Sequence, residues 1–174
     1  KSGYLLVWES AKKLKQAKKH ALYMADWGIK TELVQGERLR QLEPELVNTI
    51  SHALFFPDAH KVKEPYLLCK MLFSTFQARG GTFIKQAVTD LSPNAKNITI
   101  ETEKNAYLFA KTIICTGAWS KQLLLKAGLE VPLEAERGYH LTFQTDTIKL
   151  NHPIGSAERK FVISPLDSGL RAVG

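Results

Sequence analysis

Apolar positions recur every three or four residues in three stretches of the chain, and this spacing predicts three helices. The stretches are residues 11–27, 63–79 and 119–127. In the second helix we expect the apolar stripe to be buried, and it consists of Leu68, Met71, Leu72 and Phe76. Residues 37–42 predict a further short helix, which ends before Pro44 because the residue before a proline avoids helical backbone.

Short apolar or alternating runs between these helices predict strands. The runs are residues 3–8, 29–34, 51–56, 82–87, 97–103, 107–109, 112–115, 133–143, 161–163 and 169–173. Strands alternate with helices in one part of the chain and follow one another in the rest. This arrangement indicates a mixed α/β fold built around a sheet of six or so strands.

The stretch with the clearest functional pattern is residues 110–120. The β-branched run at 112–115 ends before Gly117, and Ser120 stands where it could cap a helix. A buried strand that runs through a glycine turn into a helix is half of a βαβ unit, and ligands bind at the carboxyl ends of such strands. These residues alone leave open an ordinary strand, turn and helix of a core.

The composition predicts a compact globular domain. The chain has 174 residues, of which 44% are hydrophobic, so it can bury a sizeable core. Cys69 and Cys115 lie far apart within apolar patterns, and we expect both to be buried free thiols. The two cysteines suggest neither a disulfide framework nor a zinc site.

A formal net charge of +7 is concentrated in the first predicted helix. Its lysines are Lys12, Lys13, Lys15, Lys18 and Lys19. They are typical of the solvated face of an amphipathic helix, and a patch for anionic lipid or an acidic partner is the alternative. Nucleic-acid binding is not expected, because the lysines lack interleaved aromatic residues and no nucleic-acid motif is present.

Three segments resemble one known family. Residues 113–120, Ile-Ile-Cys-Thr-Gly-Ala-Trp-Ser, resemble the second flavin-contacting segment of the FAD-dependent amino-acid oxidoreductases. That family includes D-amino-acid oxidase, glycine oxidase, sarcosine oxidase and the bacterial D-amino-acid dehydrogenase. Residues 131–140, which end in Arg-Gly-Tyr-His, and residues 169–174 resemble two strands of the dehydrogenase branch. The order and spacing of the segments match that family over nearly the whole chain.

The resemblance implies an α/β fold with two parts. An α+β substrate-binding layer with a mostly antiparallel sheet would comprise residues 1–60 and 131–174, and residues 61–130 would form part of an FAD-binding dinucleotide fold. The chain contains no Gly-x-Gly-x-x-Gly, the loop that holds the pyrophosphate in such folds. We therefore expect an internal piece of a longer flavoprotein, which by itself binds FAD weakly and is inactive.

The resemblance also implies the chemistry, which is oxidative deamination of D-amino acids by hydride transfer from the substrate Cα to N5 of FAD. The cofactor performs the difficult step, so no catalytic side chain and no metal are expected. The residues that the resemblance places against FAD are Val88, Thr116, Gly117, Ala118 and Trp119. A glycine- or sarcosine-type amine oxidase, an inactive structural fragment and a basic interaction module remain alternatives.

The resemblance places Arg137, Tyr139 and His140 on the substrate side. A guanidinium matches a carboxylate with two parallel hydrogen bonds, which suits Arg137 to the substrate carboxylate. A structural ion pair of Arg137 with Glu134 or Glu136 is the alternative, and Arg171 is a second candidate cation. If residues 133–143 form one strand, Tyr139 and His140 point to opposite faces, and only one of them can face the site.

The partners implied by the resemblance are a small amino-acid substrate and a membrane quinone that accepts the electrons. Because no apolar run is long enough to span a bilayer, we expect a cytoplasmic protein with peripheral contact to the inner membrane. The sequence leaves the oligomeric state, the substrate side chain and the electron acceptor open.

Overall fold

The computed structural model describes residues 3–145 and 147–174. In chain order its strands and helices are β1 (Tyr4–Trp8), α1 (Leu14–Asp26), β2 (Glu32–Gln35), α2 (Gly36–Leu42), β3 (His52–Phe56), α3 (Pro65–Ala78), β4 (Val88–Pro93), β5 (Ile98–Thr102), β6 (Ala106–Phe109), α4 (Ser120–Lys126), β7 (His140–Phe143), β8 (Ile154–Ser156), β9 (Val162–Leu166) and β10 (Gly169–Val173). One turn of 3-10 helix precedes α1 at Ala11–Lys13, and another precedes α4 at Gly117–Trp119. The mixed α/β fold class is confirmed.

The chain divides into two compact units. Unit 1 consists of Lys1–Phe73 and Gly138–Gly174, and unit 2 consists of Ser74–Arg137. The first boundary lies inside α3, so that helix belongs in part to each unit. The junctions expected from the sequence lie at residues 60/61 and 130/131. The assignment of the two parts to a substrate layer and an FAD domain stays a prediction.

Unit 1 is built on a seven-stranded sheet in the order β2-β3-β1-β8-β9-β10-β7. Neighbouring strands are antiparallel throughout except for β1 and β8, which run parallel. The interior strand β1 therefore pairs on one side with β3, which lies early in the chain, and on the other with β8, which lies near its end. The expected large, mostly antiparallel sheet is present.

The buried core lies on both faces of this sheet, because side chains of a strand alternate in direction. On one face Leu5, Val7 and Phe55 pack with Leu39 of α2. On the other face Trp8 and Leu54 pack with Ala17 of α1. Each large side chain buried in this way stabilises the fold by about 1.5–3 kcal/mol. The two helices thus hold the β2-β3-β1 end of the sheet from opposite sides.

Unit 2 contains a three-stranded antiparallel sheet in the order β4-β5-β6, followed by α4. The β5–β6 hairpin agrees with the alternation at residues 97–103 and the return at 107–109. Strand β4 was not expected, and it carries an irregularity between Val88 and Asp90 that interrupts its alternation. Leu91 is the buried residue of β4.

The helix predictions are confirmed, because α1, α3 and α4 lie within the three expected stretches. The expected burial of α3 is wrong. None of the fourteen described residues of this helix is buried, and Leu72 has 62% of its surface exposed. The same holds for the two cysteines, which are free but exposed rather than buried. Periodicity identifies the apolar face of a helix, but not whether anything covers it.

Three predicted strands are corrected. Residues 82–87 and 112–115 are not in strands, and of the long strand expected at 133–143 only β7 is present. Ile113 in the second run is 87% exposed. A strand exists only where another strand completes its hydrogen-bond ladder. Within the described part of the chain, these apolar runs have no such partner.

A buried carboxylate ties the two chain segments of unit 1 together. Glu43 follows α2 and is fully buried. Its Oε2 accepts the backbone N–H groups of Asn151 at 2.8 Å and His152 at 3.1 Å, just before β8. The Nδ1 of His152 lies 3.6 Å from the same oxygen. The carboxylate therefore fixes the loop that enters β8, a strand that the sequence pattern did not predict.

Among the described residues, no helix combines the length and the apolar character needed to cross a bilayer.

Candidate functional site

A cleft of about 880 Å³ lies in unit 2, between the start of β4 and the start of α4. It is lined by Gln86, Ala87, Val88, Thr89, Cys115, Thr116, Gly117, Trp119, Gln122, Leu123 and Lys126. Two stretches far apart in sequence therefore form one concave surface. A mixture of apolar side chains with a few polar ones is typical of cofactor sites.

One hydrogen bond joins the two stretches that line the cleft, and another lies within the second stretch. The ammonium group of Lys126 donates to the backbone carbonyl of Thr89, which connects the end of α4 to β4. The hydroxyls of Thr116 and Ser120 are hydrogen-bonded at 2.9 Å across the 3-10 turn. Ser120 therefore pairs with a side chain of the turn, and its predicted role as a helix cap is wrong, because α4 has no side-chain cap.

The amide of Gln86 is held by side chains of β5 and β6. Its Oε1 accepts hydrogen bonds from the Thr102 hydroxyl at 2.7 Å and the Tyr107 hydroxyl at 3.3 Å. Because the oxygen is engaged, the NH₂ group of this amide is the part available as a donor. The cleft thus contains a positioned polar group beside its apolar surfaces.

The surfaces of the cleft suit the nucleotide part of FAD. Gly117 has φ +56°, and a Cβ added there would meet nothing within 4 Å, so the backbone faces open space at this point. Trp119 is 72% exposed and offers an aromatic face for stacking. A flat heteroaromatic ring and a ribose need such apolar faces together with amide and hydroxyl groups, and both kinds are present.

Four of the five residues that the resemblance places against FAD line this one cleft, namely Val88, Thr116, Gly117 and Trp119. Ala118 is not among the lining residues. Sequence reasoning did not single out Gln86, Gln122 and Lys126. Gln122 and Lys126 are four residues apart in α4 and so share a helix face. This spacing can be seen in the sequence, but it does not by itself indicate a binding site.

The three residues that the resemblance assigns to the substrate lie in different units. Arg137 is the last residue of unit 2, whereas Tyr139 and His140 belong to unit 1. Arg137 is exposed, and in the part of the chain that the structure describes no salt bridge joins it to Glu134 or Glu136. The structural ion pair considered for Arg137 is therefore not formed. Its role as a substrate cation stays a prediction.

Tyr139 and His140 are both exposed, and the pairing of β7 with β10 fixes their directions. His140 lies opposite Val173. Tyr139 exchanges backbone hydrogen bonds with Gly174, with N···O distances of 3.4 Å and 3.3 Å, which continues the same ladder by one residue. Adjacent residues of a ladder point to opposite faces, so the expectation that only one of these rings can face a given site is supported by the pairing.

The segment after β3 is fastened to the β9–β10 turn by two polar contacts. The Lys61 ammonium donates to the Pro165 carbonyl at 2.5 Å, and Glu64 accepts the Ser168 N–H at 3.1 Å. Burial lowers the pKa of Lys61, while the charge of Asp167 opposes that change.

Among the described residues, no cluster of His, Cys, Asp or Glu side chains is arranged to hold a metal ion.

The sequence model of one family, described as "DAO: FAD dependent oxidoreductase", matches residues 1–174. The chain belongs to the DAO family.

Known proteins resemble this chain to different degrees. A D-amino-acid oxidase of Bradyrhizobium diazoefficiens is 28% identical over 142 residues, which cover 81% of this chain and 34% of that protein. A D-amino acid dehydrogenase of Neisseria meningitidis is 24% identical over 147 residues, covering 82% of this chain and 35% of that protein.

The crystal structure of a glycine oxidase from Bacillus cereus superposes on 99% of this chain and 47% of its own, with a TM-score of 0.80 and 19% identity. At that identity the likeness concerns the fold alone. The chain spans about a third of the length of the curated relatives and about half of this solved structure.

Proposed function

We propose that the full-length protein containing this chain oxidatively deaminates D-amino acids. The observation that carries the proposal is the cleft of unit 2, which brings together Val88, Thr116, Gly117 and Trp119 in a chain of the DAO family. The similarity of the chain to a D-amino-acid oxidase and to a D-amino acid dehydrogenase supports D-amino acids as the substrate class.

In this proposal the cleft holds the nucleotide end of FAD. The indole of Trp119 and the side chain of Val88 supply apolar surface, and the open backbone at Gly117 allows close approach of the cofactor. FAD, when bound, supplies an acceptor for the hydride that leaves the substrate Cα. The protein contributes orientation, because a correctly held pair of reactants avoids much of the entropic cost of meeting.

Arg137, together with either Tyr139 or His140, is proposed to contact the substrate, because the two rings point to opposite faces of the sheet. A cation is needed for the α-carboxylate, and ring hydroxyl or imidazole groups can hydrogen-bond the amine or carboxylate. We further propose that the electrons leave for a quinone at the membrane surface. The lysines at the start of the chain support this step, because positive charge is attracted to anionic lipid.

The test is a substrate screen of the purified full-length protein. D-Amino acids, L-amino acids, glycine and sarcosine are supplied with an artificial electron acceptor, and flavin absorbance is measured in the same preparation. The proposal expects stoichiometric flavin and preferential reduction of the acceptor with D-amino acids. Bound flavin with no D-amino-acid turnover would contradict the proposed substrate class but not the family.

A matched variant tests the cofactor cleft separately. Gly117→Val puts a β-branched side chain at a positive φ that such residues rarely adopt, and it fills space beside the turn. We expect reduced flavin content after purification. Gly128→Val, at a positive φ after α4 and outside the lining of the cleft, is the control for general backbone strain.

A glycine- or sarcosine-type amine oxidase is the second candidate. The chain superposes over nearly its whole length on the structure of a glycine oxidase, so this fold accommodates glycine oxidation as well. This similarity supports the second candidate. The same screen separates the two, because this candidate expects glycine or sarcosine to exceed every chiral D-amino acid in kcat/KM.

A further inference from the structure

A second cavity, of about 420 Å³, lies in unit 1 between α1 and the sheet. It is lined by alternate residues of β1, Tyr4, Leu6 and Trp8, which point to the face of the sheet on which α1 packs. Helix α1 contributes Gln16 and His20, which are four residues apart and so share a helix face. A cavity of this size, with walls from a helix and a sheet, can hold a small molecule.

The turn between β8 and β9 places Lys160 at this cavity. Lys160 has φ +59°, and among the described residues it is the one non-glycine residue with a positive φ. Its N–H donates to the carbonyl of Ser156 at 3.0 Å, which closes the turn. Lysine is strained in a conformation that glycine adopts freely, and such strain is found mainly at functional sites. The strained turn therefore marks the ammonium group at the cavity as a candidate for a binding role.

The hydroxyl of Tyr4 is a second donor on the sheet side of the cavity. The Tyr4 ring lies over Gly155 of β8, where a Cβ would collide with that hydroxyl. The absence of a side chain at Gly155 thus makes room for the ring. Burial raises the pKa of Tyr4, so the hydroxyl stays protonated and able to donate.

The rest of the cavity is mainly apolar and aromatic. Trp8 meets the ring of His20 edge-on, with centroids 6.3 Å apart, and so holds the imidazole close to the sheet. Phe161 and Val162 extend the apolar lining. None of the described residues that line the cavity is acidic. Hydrogen-bond donors around apolar walls suit a flat ring that carries oxygen acceptors at its edge.

We propose that this cavity binds the ring of the quinone that accepts the electrons. A quinone ring has two apolar faces, and the carbonyl oxygens at its opposite ends only accept hydrogen bonds. The donors of the cavity come from opposite walls. Gln16 and His20 lie on the helix, and Tyr4 and Lys160 lie on the sheet side.

The position of the cavity fits an acceptor that resides in a membrane. Helix α1 forms one wall, and the same helix bears the exposed Lys15, Lys18 and Lys19, which would face anionic lipid. A quinone bound beside this helix would keep its apolar tail close to the bilayer. The inference rests on the proposed quinone acceptor and names its site.

The test measures quinone binding and quinone reduction by the full-length protein. Decylubiquinone, a quinone with a short tail, is titrated into the oxidised enzyme by calorimetry, and its KM is measured with D-alanine as the reductant. Lys160→Gly removes both the charge and the strain, and His20→Phe keeps a ring beside Trp8 without a donor. Lys30→Gly is the matched control, because Lys30 is exposed in the same unit and lies outside the lining. Melting temperature and flavin content are recorded for every variant.

We expect Lys160→Gly to weaken decylubiquinone binding and to raise its KM by at least about tenfold, as for a lost hydrogen bond from a charged donor. Its melting temperature should be unchanged or higher, because glycine relieves the strained φ. His20→Phe should weaken binding by about three- to tenfold, in line with one neutral hydrogen bond. The losses should appear with the quinone and not with the artificial acceptor, and Lys30→Gly should match the wild type.

Wild-type quinone affinity in both cavity variants would overturn the proposal, whatever their melting temperatures, and so would an equal loss in Lys30→Gly. If Lys160→Gly does not fold, Lys160→Asn takes its place, because asparagine tolerates a positive φ and lacks the charge.

Failure of this site and failure of the proposed function give different results. If the wild type oxidises D-amino acids with the artificial acceptor but neither binds nor reduces decylubiquinone, the quinone site is wrong and the substrate class stands. If the wild type oxidises no amino acid, the proposed function fails. Calorimetric binding that depends on Lys160 and His20 would even then sustain the quinone site, and binding independent of both would remove it.

Discussion

At the scale of single residues, the buried carboxylate of Glu43 has the largest expected effect on stability. It accepts the backbone N–H of Asn151, which is half-buried, and that of His152, which is buried. Glu43→Ala would remove the charged acceptor of both donors, so we expect the free energy of unfolding to fall by about 3–5 kcal/mol. Chemical denaturation measures this. Glu45→Ala, two residues along and exposed, should change it by less than about 0.5 kcal/mol.

We expect His52 to make the stability of unit 1 depend on pH. Its ring is 1% exposed and stacks on Trp8 with centroids 5.9 Å apart. Burial lowers the pKa of His52, and the charge of Glu158 only partly opposes this. The unfolded chain therefore binds a proton more readily than the folded one, and stability present above the ordinary histidine pKa of about 6.5 is lost as the pH falls below it.

The measurement is a series of melting curves from about pH 8 to pH 5 for the wild type and His52→Phe, which keeps the stacked ring. We expect the wild type to lose more stability than the variant below about pH 6.5. Parallel pH profiles for the two proteins would contradict this assignment.

At the scale of elements, α1 presents lysines that have few partners in the protein. Ala17 is its buried residue, and Lys13, just before it, pairs with Glu158 at 3.2 Å. Lys15, Lys18 and Lys19 are exposed. Changing all three to Gln should weaken co-sedimentation with phosphatidylserine vesicles by roughly 1 kcal/mol per lysine at low salt. The control changes Lys30, Lys96 and Lys104, which are also exposed, to Gln. Vesicle binding that does not depend on lipid charge or on salt concentration would contradict a membrane role.

The helices were predictable and several strands were not, for a physical reason. The apolar spacing of residues 63–79 is a property of that segment alone, and α3 forms there. The runs at 82–87 and 112–115 have the composition of strands, but a strand depends on a distant partner that local pattern does not reveal. Strand β8 has only three residues, and it is held by β1 and the Glu43 contacts rather than by any pattern of its own.

Some residues of the candidate sites could likewise be predicted from the sequence and others could not. Thr116, Gly117 and Trp119 stand within four residues, so a motif could identify them, and Val88 followed from the family spacing. The alignment of Arg171 with Thr142 of β7 and Ser164 of β9 could not be predicted, because it depends on the register of three strands. From the sequence Arg171 was only a second candidate cation for a carboxylate, and its neighbours across the sheet were unknown.

At the scale of the whole molecule, the exposed apolar surface of α3 predicts the behaviour of the isolated chain. Leu68, Met71 and Leu72 are all substantially exposed on this helix. Monomeric soluble proteins rarely expose large contiguous apolar patches. We expect the 174-residue chain by itself to bind a hydrophobic dye and to self-associate, and Met71→Lys with Leu72→Lys to reduce both. Light scattering measures self-association and fluorescence measures dye binding. Lys12→Glu is the control for a change of charge on the exposed surface. Unchanged self-association in the α3 variant would contradict the prediction.

The interleaving of the two units has a consequence for how a ribosome releases this chain. Strands β1 to β3 are synthesised before β8, so the edge of β1 that pairs with β8 has no partner until all of unit 2 has been synthesised. Unit 2 is contiguous and can finish folding while the sheet of unit 1 is still incomplete. Between the synthesis of β1 and that of β8 the nascent chain therefore carries an open strand edge, which can pair with wrong neighbours. We expect this topology to make folding during translation depend on chaperones, whatever the stability of the finished protein.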